Sequence, residues 1–244
     1  MKTRCSLPSA AVGALSIELT ARAAVVFSDF QFQGNLASTG GYGPSLTDLG
    51  VSNGFTTATV NGASQTVFSF AQGTGLSLDV SLLPDKNSLT MVALFQFTGE
   101  NDGSYERILQ TKNFTADEGL YWNATDLEFY GAGSGSAGVH QSGRFEQVVL
   151  VNNYGNLSGY ADGVLQFSTS YDASVSSDNL MHFFRDDSGE NSSGQVARLR
   201  IFDNVLTSLE VAALGTVAVP EPAEYAAVAG LAVLALGIWR RSRR

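Results

Sequence analysis

The residues best equipped for chemistry cluster late in the chain. Asp186-Asp187-Ser188-Gly189-Glu190 offers three carboxylates in five residues, and its glycine permits a bend. Calcium takes six to eight oxygens from carboxylates, amides and backbone carbonyls, so Asp186, Asp187 and Glu190 are candidate calcium ligands. Their spacing is not that of an EF-hand. The same residues also suit an acidic surface turn in which Asp186 or Asp187 bonds its own backbone. Asp162 joins such a site only where its hairpin packs beside that loop. Asp126 and Glu128 lie two apart on a predicted strand and so share one face. Glycoside hydrolysis needs two carboxyl groups about 5–10 Å apart across a cleft, and this pair reads better as strand carboxylates. His140 and His182 are the only histidines, and neither has metal-ligand spacing. No Gly-x-Ser-x-Gly elbow occurs. Gly131 to Gly138 is a glycine-rich loop with no helix start after it, so it is not a phosphate cradle. Tyr121, Trp122, Tyr130, Tyr154 and Tyr160 are candidate rings for stacking against sugars.

These groups sit in a chain of 244 residues, 44% hydrophobic and only 15% charged. That excludes a disordered tail or a coiled coil, and the length allows a core without disulfide staples. Cys5 is the single cysteine, which excludes an internal disulfide and a cysteine-type zinc site. From Ala24 to Val219 there are seven basic residues against 20 acidic ones, so this body carries a net charge of −13. Such a balance argues against nucleic acid as a partner.

The other basic residues lie at the two ends. Val219-Pro220-Glu221-Pro222 precedes an apolar run of 15 residues, Tyr225 to Trp239, and then Arg240-Arg241-Ser242-Arg243-Arg244. With Ala223 and Glu224 and snorkelling arginines the run approaches the length of a short transmembrane helix. The arginines are expected on the cytoplasmic side, with the acidic body across the membrane. This tripartite tail resembles the PEP-CTERM sorting signal of Gram-negative bacteria. The resemblance implies recognition of Pro220, Glu221 and Pro222 by an exosortase, a membrane protease that cuts near them and delivers the product to the cell envelope or surface. At the other end, Lys2 and Arg4 precede a moderately apolar stretch, Leu7 to Leu19, and Ala21-Arg22-Ala23 suits cleavage. Residues 1–23 therefore read as a signal peptide, and 217–244 as the sorting signal.

The intervening segment, 24–216, reads as short β runs with turn signals about every 8–12 residues, the pattern of a sandwich or barrel. Leu89 to Thr98 is apolar on both faces and is expected to be a central strand. Ala197, Leu199 and Ile201 alternate with Arg198 and Arg200, giving one core face and one wet face. Tyr160-Ala161-Asp162-Gly163-Val164 reads as a tight hairpin. Thr207 and Glu210 form a capping box for one short helix, Leu206 and Val211 occupy the staple positions, and Gly215 suggests a stop.

Four segments are similar to concanavalin A-like, laminin-G-type domains. They are the hairpin Leu157 to Val164, the strand Gly194 to Asp203, the helix Val205 to Leu214, and the strand Leu89 to Phe97, which corresponds to an early strand of those domains. The resemblance implies an all-β, concanavalin A-like jelly-roll sandwich with one short C-terminal helix. It also makes calcium at Asp186, Asp187 and Glu190 an expectation. Laminarinase-like members carry a Glu-x-Asp motif followed by a further Glu. Here position 124 is alanine and 131 is glycine, so that motif is broken at Asp126-Leu127-Glu128. The expectation is a non-enzymatic, exported domain that contacts polysaccharide or another surface polymer, with a transient membrane anchor and an exosortase as processing partner. The alternatives are a glycoside hydrolase on the same fold and a purely structural matrix protein.

Overall fold

The computed structural model describes residues 25–99, 105–136, 138–187 and 189–216. Its strands are β1 (Val26–Phe30), β2 (Gly40–Gly41), β3 (Thr47–Asp48), β4 (Gly54–Val60), β5 (Ala63–Phe70), β6 (Leu76–Asp79), β7 (Ser88–Phe97), β8 (Tyr105–Gln110), β9 (Gly119–Asn123), β10 (Asp126–Phe129), β11 (Gly133–Ser134), β12 (Glu146–Asn153), β13 (Asn156–Ala161), β14 (Val164–Ser170), β15 (Leu180–Phe183) and β16 (Gly194–Phe202). One helix, α1 (Ser208–Thr216), follows them.

Two antiparallel sheets face each other. The first runs β14-β13-β12-β7-β16-β1-β2, with the β4–β5 hairpin joined through β16, and the second runs β11-β10-β9-β8-β15-β6-β3. The core between them is rich in phenylalanine: Phe70, Phe95, Phe97 and Phe184 pack as a ring cluster, with Phe70 and Phe184 stacked at 4.5 Å. Such offset and edge contacts add to the stabilisation from burial alone.

β7 is central, as its two apolar faces predict. Met91, Ala93 and Phe95 point into the main core. On the opposite face Val92 meets Leu206, just before α1, and Val211 of α1, while Leu94 packs with Val60 and Val67 of the β4–β5 hairpin. The outer face of the first sheet is therefore largely covered. In β16 the alternation is broken by a bulge between Val196 and Arg198. Val196, Leu199 and Ile201 face the core, but Ala197 joins the outer cluster with Leu94 instead.

The Asp162–Gly163 turn closes β13 and β14 with both residues at positive φ, 48° and 79°, as a two-residue hairpin requires. The capping box forms: Thr207 N–H donates to Glu210 Oε2 at 2.7 Å, and Glu210 N–H to Thr207 Oγ1 at 3.3 Å. The helix continues through Gly215 to Thr216 rather than stopping at the glycine. Among the described residues no helix is long and apolar enough to cross a membrane. The signal segment 1–23 and the sorting signal 217–244, including Pro220, Glu221 and Pro222, lie outside the described residues.

Candidate functional site

Pairing of β8, β9 and β10 sets two rows of side chains on the outer face of the second sheet. One row is Tyr105, Asn123 and Asp126; the next is Arg107, Tyr121 and Glu128. Tyr105, Asn123, Asp126 and Glu128 are partly exposed on this face, whereas Arg107 and Tyr121 are fully buried. Tyr130 follows directly, and Tyr105, Tyr121 and Tyr130 meet edge to face with centroids 5.3–6.1 Å apart. Asn123 donates to Glu128 Oε2 at 2.8 Å.

Arg107 organises the neighbouring loops. Its side chain is fully buried, although it stands on the outer face. The guanidinium lies 3.9 Å above the Tyr121 ring. Its Nε and Nη2 both donate to Asp186 Oδ1, at 3.1 and 2.6 Å. Nη2 also reaches Asp117 Oδ1 at 2.9 Å, and Nη1 the Glu118 carbonyl at 3.1 Å. The Tyr121 hydroxyl donates to Asp117 Oδ1 as well. Glu190 completes the arrangement: its carbonyl accepts from Arg107 N–H, and its carboxylate stands within 4.8 Å of those of Asp117 and Asp186. Burial raises the Glu190 and Asp117 carboxyls above the usual range, helped by the neighbouring carboxylates and opposed by Arg107.

The calcium expectation changes on two points. Asp187 is exposed and stands outside the cluster, whereas Asp117, from a distant loop, belongs to it. Asp162 does not join it either, because its carboxylate holds Arg144 at 2.9 Å. Calcium needs at least six oxygens, and two of the three carboxylates are already engaged by guanidinium N–H donors. The residues present do not fit a calcium site while Arg107 holds that position.

Of the five rings proposed for stacking, Trp122 and Tyr121 are fully buried, and Tyr160 is 7% exposed beneath α1. Tyr130 is 38% and Tyr154 is 68% exposed. Tyr154 flanks a shallow groove with Tyr171 and Asp172, and its hydroxyl donates to Asp85. Tyr105, half-buried beside Tyr130, belongs to the site and was not among the five; its signal was the alternation Tyr105-Glu106-Arg107.

That alternation turns Glu106 inward. His140 bridges it to Glu146 of the opposite sheet, with Nε2 3.2 Å from Glu106 Oε2 and Nδ1 2.7 Å from Glu146 Oε2. Ser192 donates to the other Glu106 oxygen. Burial alone would lower the His140 pKa, but hydrogen bonds to Glu106 and Glu146 and their charges outweigh it and lift the imidazole to about 9. The triad ties the two sheets together inside one end of the sandwich. His182 is a strand residue in β15, its Nε2 3.2 Å from Asn113 Oδ1 and its ring tilted against Phe114.

An all-β sandwich closed by a capped helix defines the class, and comparison supplies the family. The chain belongs to the concanavalin A-like lectin/glucanases superfamily, whose model matches residues 56–212. No curated protein matches it. Among solved structures it is similar to domain 4 of AbnA, a GH43 extracellular arabinanase from Geobacillus stearothermophilus, in complex with arabinotriose. Identity is 14%, the match covers 79% of this chain and 99% of that one, and the TM-score is 0.61. It is also similar to the botulinum neurotoxin serotype D binding domain, at 14% identity and a TM-score of 0.56, covering 78% of this chain and 51% of that one. At these identities the likeness concerns the fold. The chain spans about half of the toxin domain.

Proposed function

We propose that the protein is a non-catalytic carbohydrate-binding domain that takes a polysaccharide, or another surface polymer, across the outer face of β8, β9 and β10. The observation that carries this reading is the open row of Tyr105 and Tyr130 beside Asn123 and Glu128. Sugar C–H faces pack on rings, and sugar hydroxyls bond amides and carboxylates. Arg107 fixes the support beneath them and supplies the buried cation that the neighbouring carboxylates need. The arabinotriose complex of AbnA domain 4 makes neutral oligosaccharides the first probes. In keeping with the two ends of the chain, the domain is exported, processed by an exosortase at Pro220-Glu221-Pro222, and works at the envelope or outside the cell. Calorimetry against a panel of neutral polysaccharides tests binding: a ligand whose affinity falls in Tyr130→Ala supports the site, and silence across the panel removes it. Deleting residues 220–244 and fractionating cells tests delivery; unchanged surface arrival rules out the sorting role.

One observation favours a second reading, a glycoside hydrolase on the same face. Asp117, Asp186 and Glu190 place carboxylate oxygens within 4.8 Å of one another, near the separation of about 5 Å used by retaining enzymes. In that reading Glu190, its carboxyl raised by burial, is the acid, and Asp186, held by Arg107, is the partner carboxylate. Release of reducing ends that disappears in Glu190→Gln favours hydrolysis over binding. Release lost instead in Asp126→Asn or Glu128→Gln would move the chemistry to β10.

A further inference from the structure

The opposite side of the sandwich carries a cleft that the carbohydrate-binding reading does not use. It lies on the outer face of the first sheet, between α1 and the β4–β5 hairpin, with a volume of about 280 Å³. Its floor is apolar, from Val92 and Leu94, and its walls carry Arg144, Arg198 and Arg200 together with the carboxylate of Asp162. Three of the seven basic residues between Ala24 and Val219 thus converge on one cavity of a strongly acidic body.

The guanidinium groups are held in place by carboxylates. Asp29 accepts from Arg198 at 3.0 and 2.7 Å and from Arg200 at 2.6 Å. Arg144 is pinned between Asp162 at 2.9 Å and Glu146 at 2.8 Å. Side chains so fixed lose little freedom when they receive a ligand. The Arg200 Nε is buried with no acceptor. A buried donor left unmade is costly. Gln147, also on the wall, adds an amide for hydroxyl groups. The volume falls just below the range of about 300–1,000 Å³ for drug-sized ligands, which suits one ring rather than a chain.

We propose that this cleft is a second binding site, selective for a carboxylated sugar unit of an acidic polysaccharide. The ring lies on Val92 and Leu94 while the carboxylate meets Arg198 and Arg200. With neutral sugar on the other sheet, the domain would bridge two polymers from opposite faces.

The test is calorimetry of the full chain in detergent micelles with tetragalacturonate, and with its methyl ester as the uncharged control. The acid is expected to bind at least tenfold tighter than the ester, and more weakly as salt rises. Arg198→Gln should remove that preference, but it also unpairs Asp29. Gln147→Glu is the fold-sparing variant, since it adds a charge to the wall without taking a partner from any hydrogen bond described above; it is expected to weaken the acid at least tenfold. Tyr130→Ala should leave tetragalacturonate binding unchanged, which separates this site from the one on β8 to β10. Equal affinity for acid and ester, or acid binding untouched in Gln147→Glu, would overturn the proposal. A cleft that takes a peptide of residues 217–224 and no uronate would overturn it too.

Discussion

Trp122 lies flat on His140, with ring centroids 4.8 Å apart and planes 20° apart. Trp122 comes from β9 and its indole is fully buried, so the imidazole, 8% exposed, is largely shielded from solvent where it joins Glu106 to Glu146. Two carboxylates from facing sheets would repel across a dry gap; the protonated His140 makes them an attachment.

Because the folded His140 pKa is about 9, above its ordinary 6.5, the triad's contribution is fully present below about pH 6.5. It is lost as pH rises through 9. The shift corresponds to stability on the order of 3 kcal/mol. Urea denaturation between pH 6 and pH 9.5 should show stability falling with pH, and His140→Gln should flatten that slope. An unchanged slope in the variant would place the titration elsewhere.

Arg107→Gln leaves Asp117, Asp186 and Glu190 facing one another without their cation. Removing one partner of a buried pair typically costs about 3–5 kcal/mol. Carboxyl groups raised in the folded state contribute stability at acid pH and lose it as pH rises. The variant should therefore regain part of its loss between neutrality and about pH 4. Calcium, free to reach those oxygens once the guanidinium is gone, should raise the melting temperature of Arg107→Gln and leave that of the parent unchanged.

Gly119 makes room for that guanidinium. A Cβ there would lie 2.3 Å from Arg107 Nη1 and 2.4 Å from the Leu109 carbonyl. Gly119→Ala should destabilise by about 1–3 kcal/mol, as overpacking does. Gly54→Ala, with nothing within 4 Å, is the matched control and should be close to neutral in the same thermal melts.

Thr207→Ala removes the cap of α1 and should cost about 1 kcal/mol in denaturant midpoint analysis. Because α1 covers Val92 and Val149, its loosening should also quicken amide exchange in β7 and β12.

The sandwich, the Asp162–Gly163 hairpin and the capping box were legible because each rests on neighbours in sequence. β4 went unread, although Asn61-Gly62, both at positive φ, is a strong two-residue hairpin signal. Its exposed threonines lack the apolar face that marks a strand. The acidic loop was visible, but its partner was not: Arg107 and Asp186 are 79 residues apart, and only the pairing of β15 with β8 brings them together. The bulge at Val196 likewise moves Ala197 off the core face without any glycine to announce it.

The central claim, that sugar binds on the open face of β8 to β10, is tested most directly by NMR titration of the isotope-labelled chain with a neutral oligosaccharide that binds it. The predicted result is shifts concentrated at Tyr105, Asn123, Glu128 and Tyr130, with the oligosaccharide recovered intact. Shifts confined to other surfaces, or cleavage of the sugar during the titration, would contradict it.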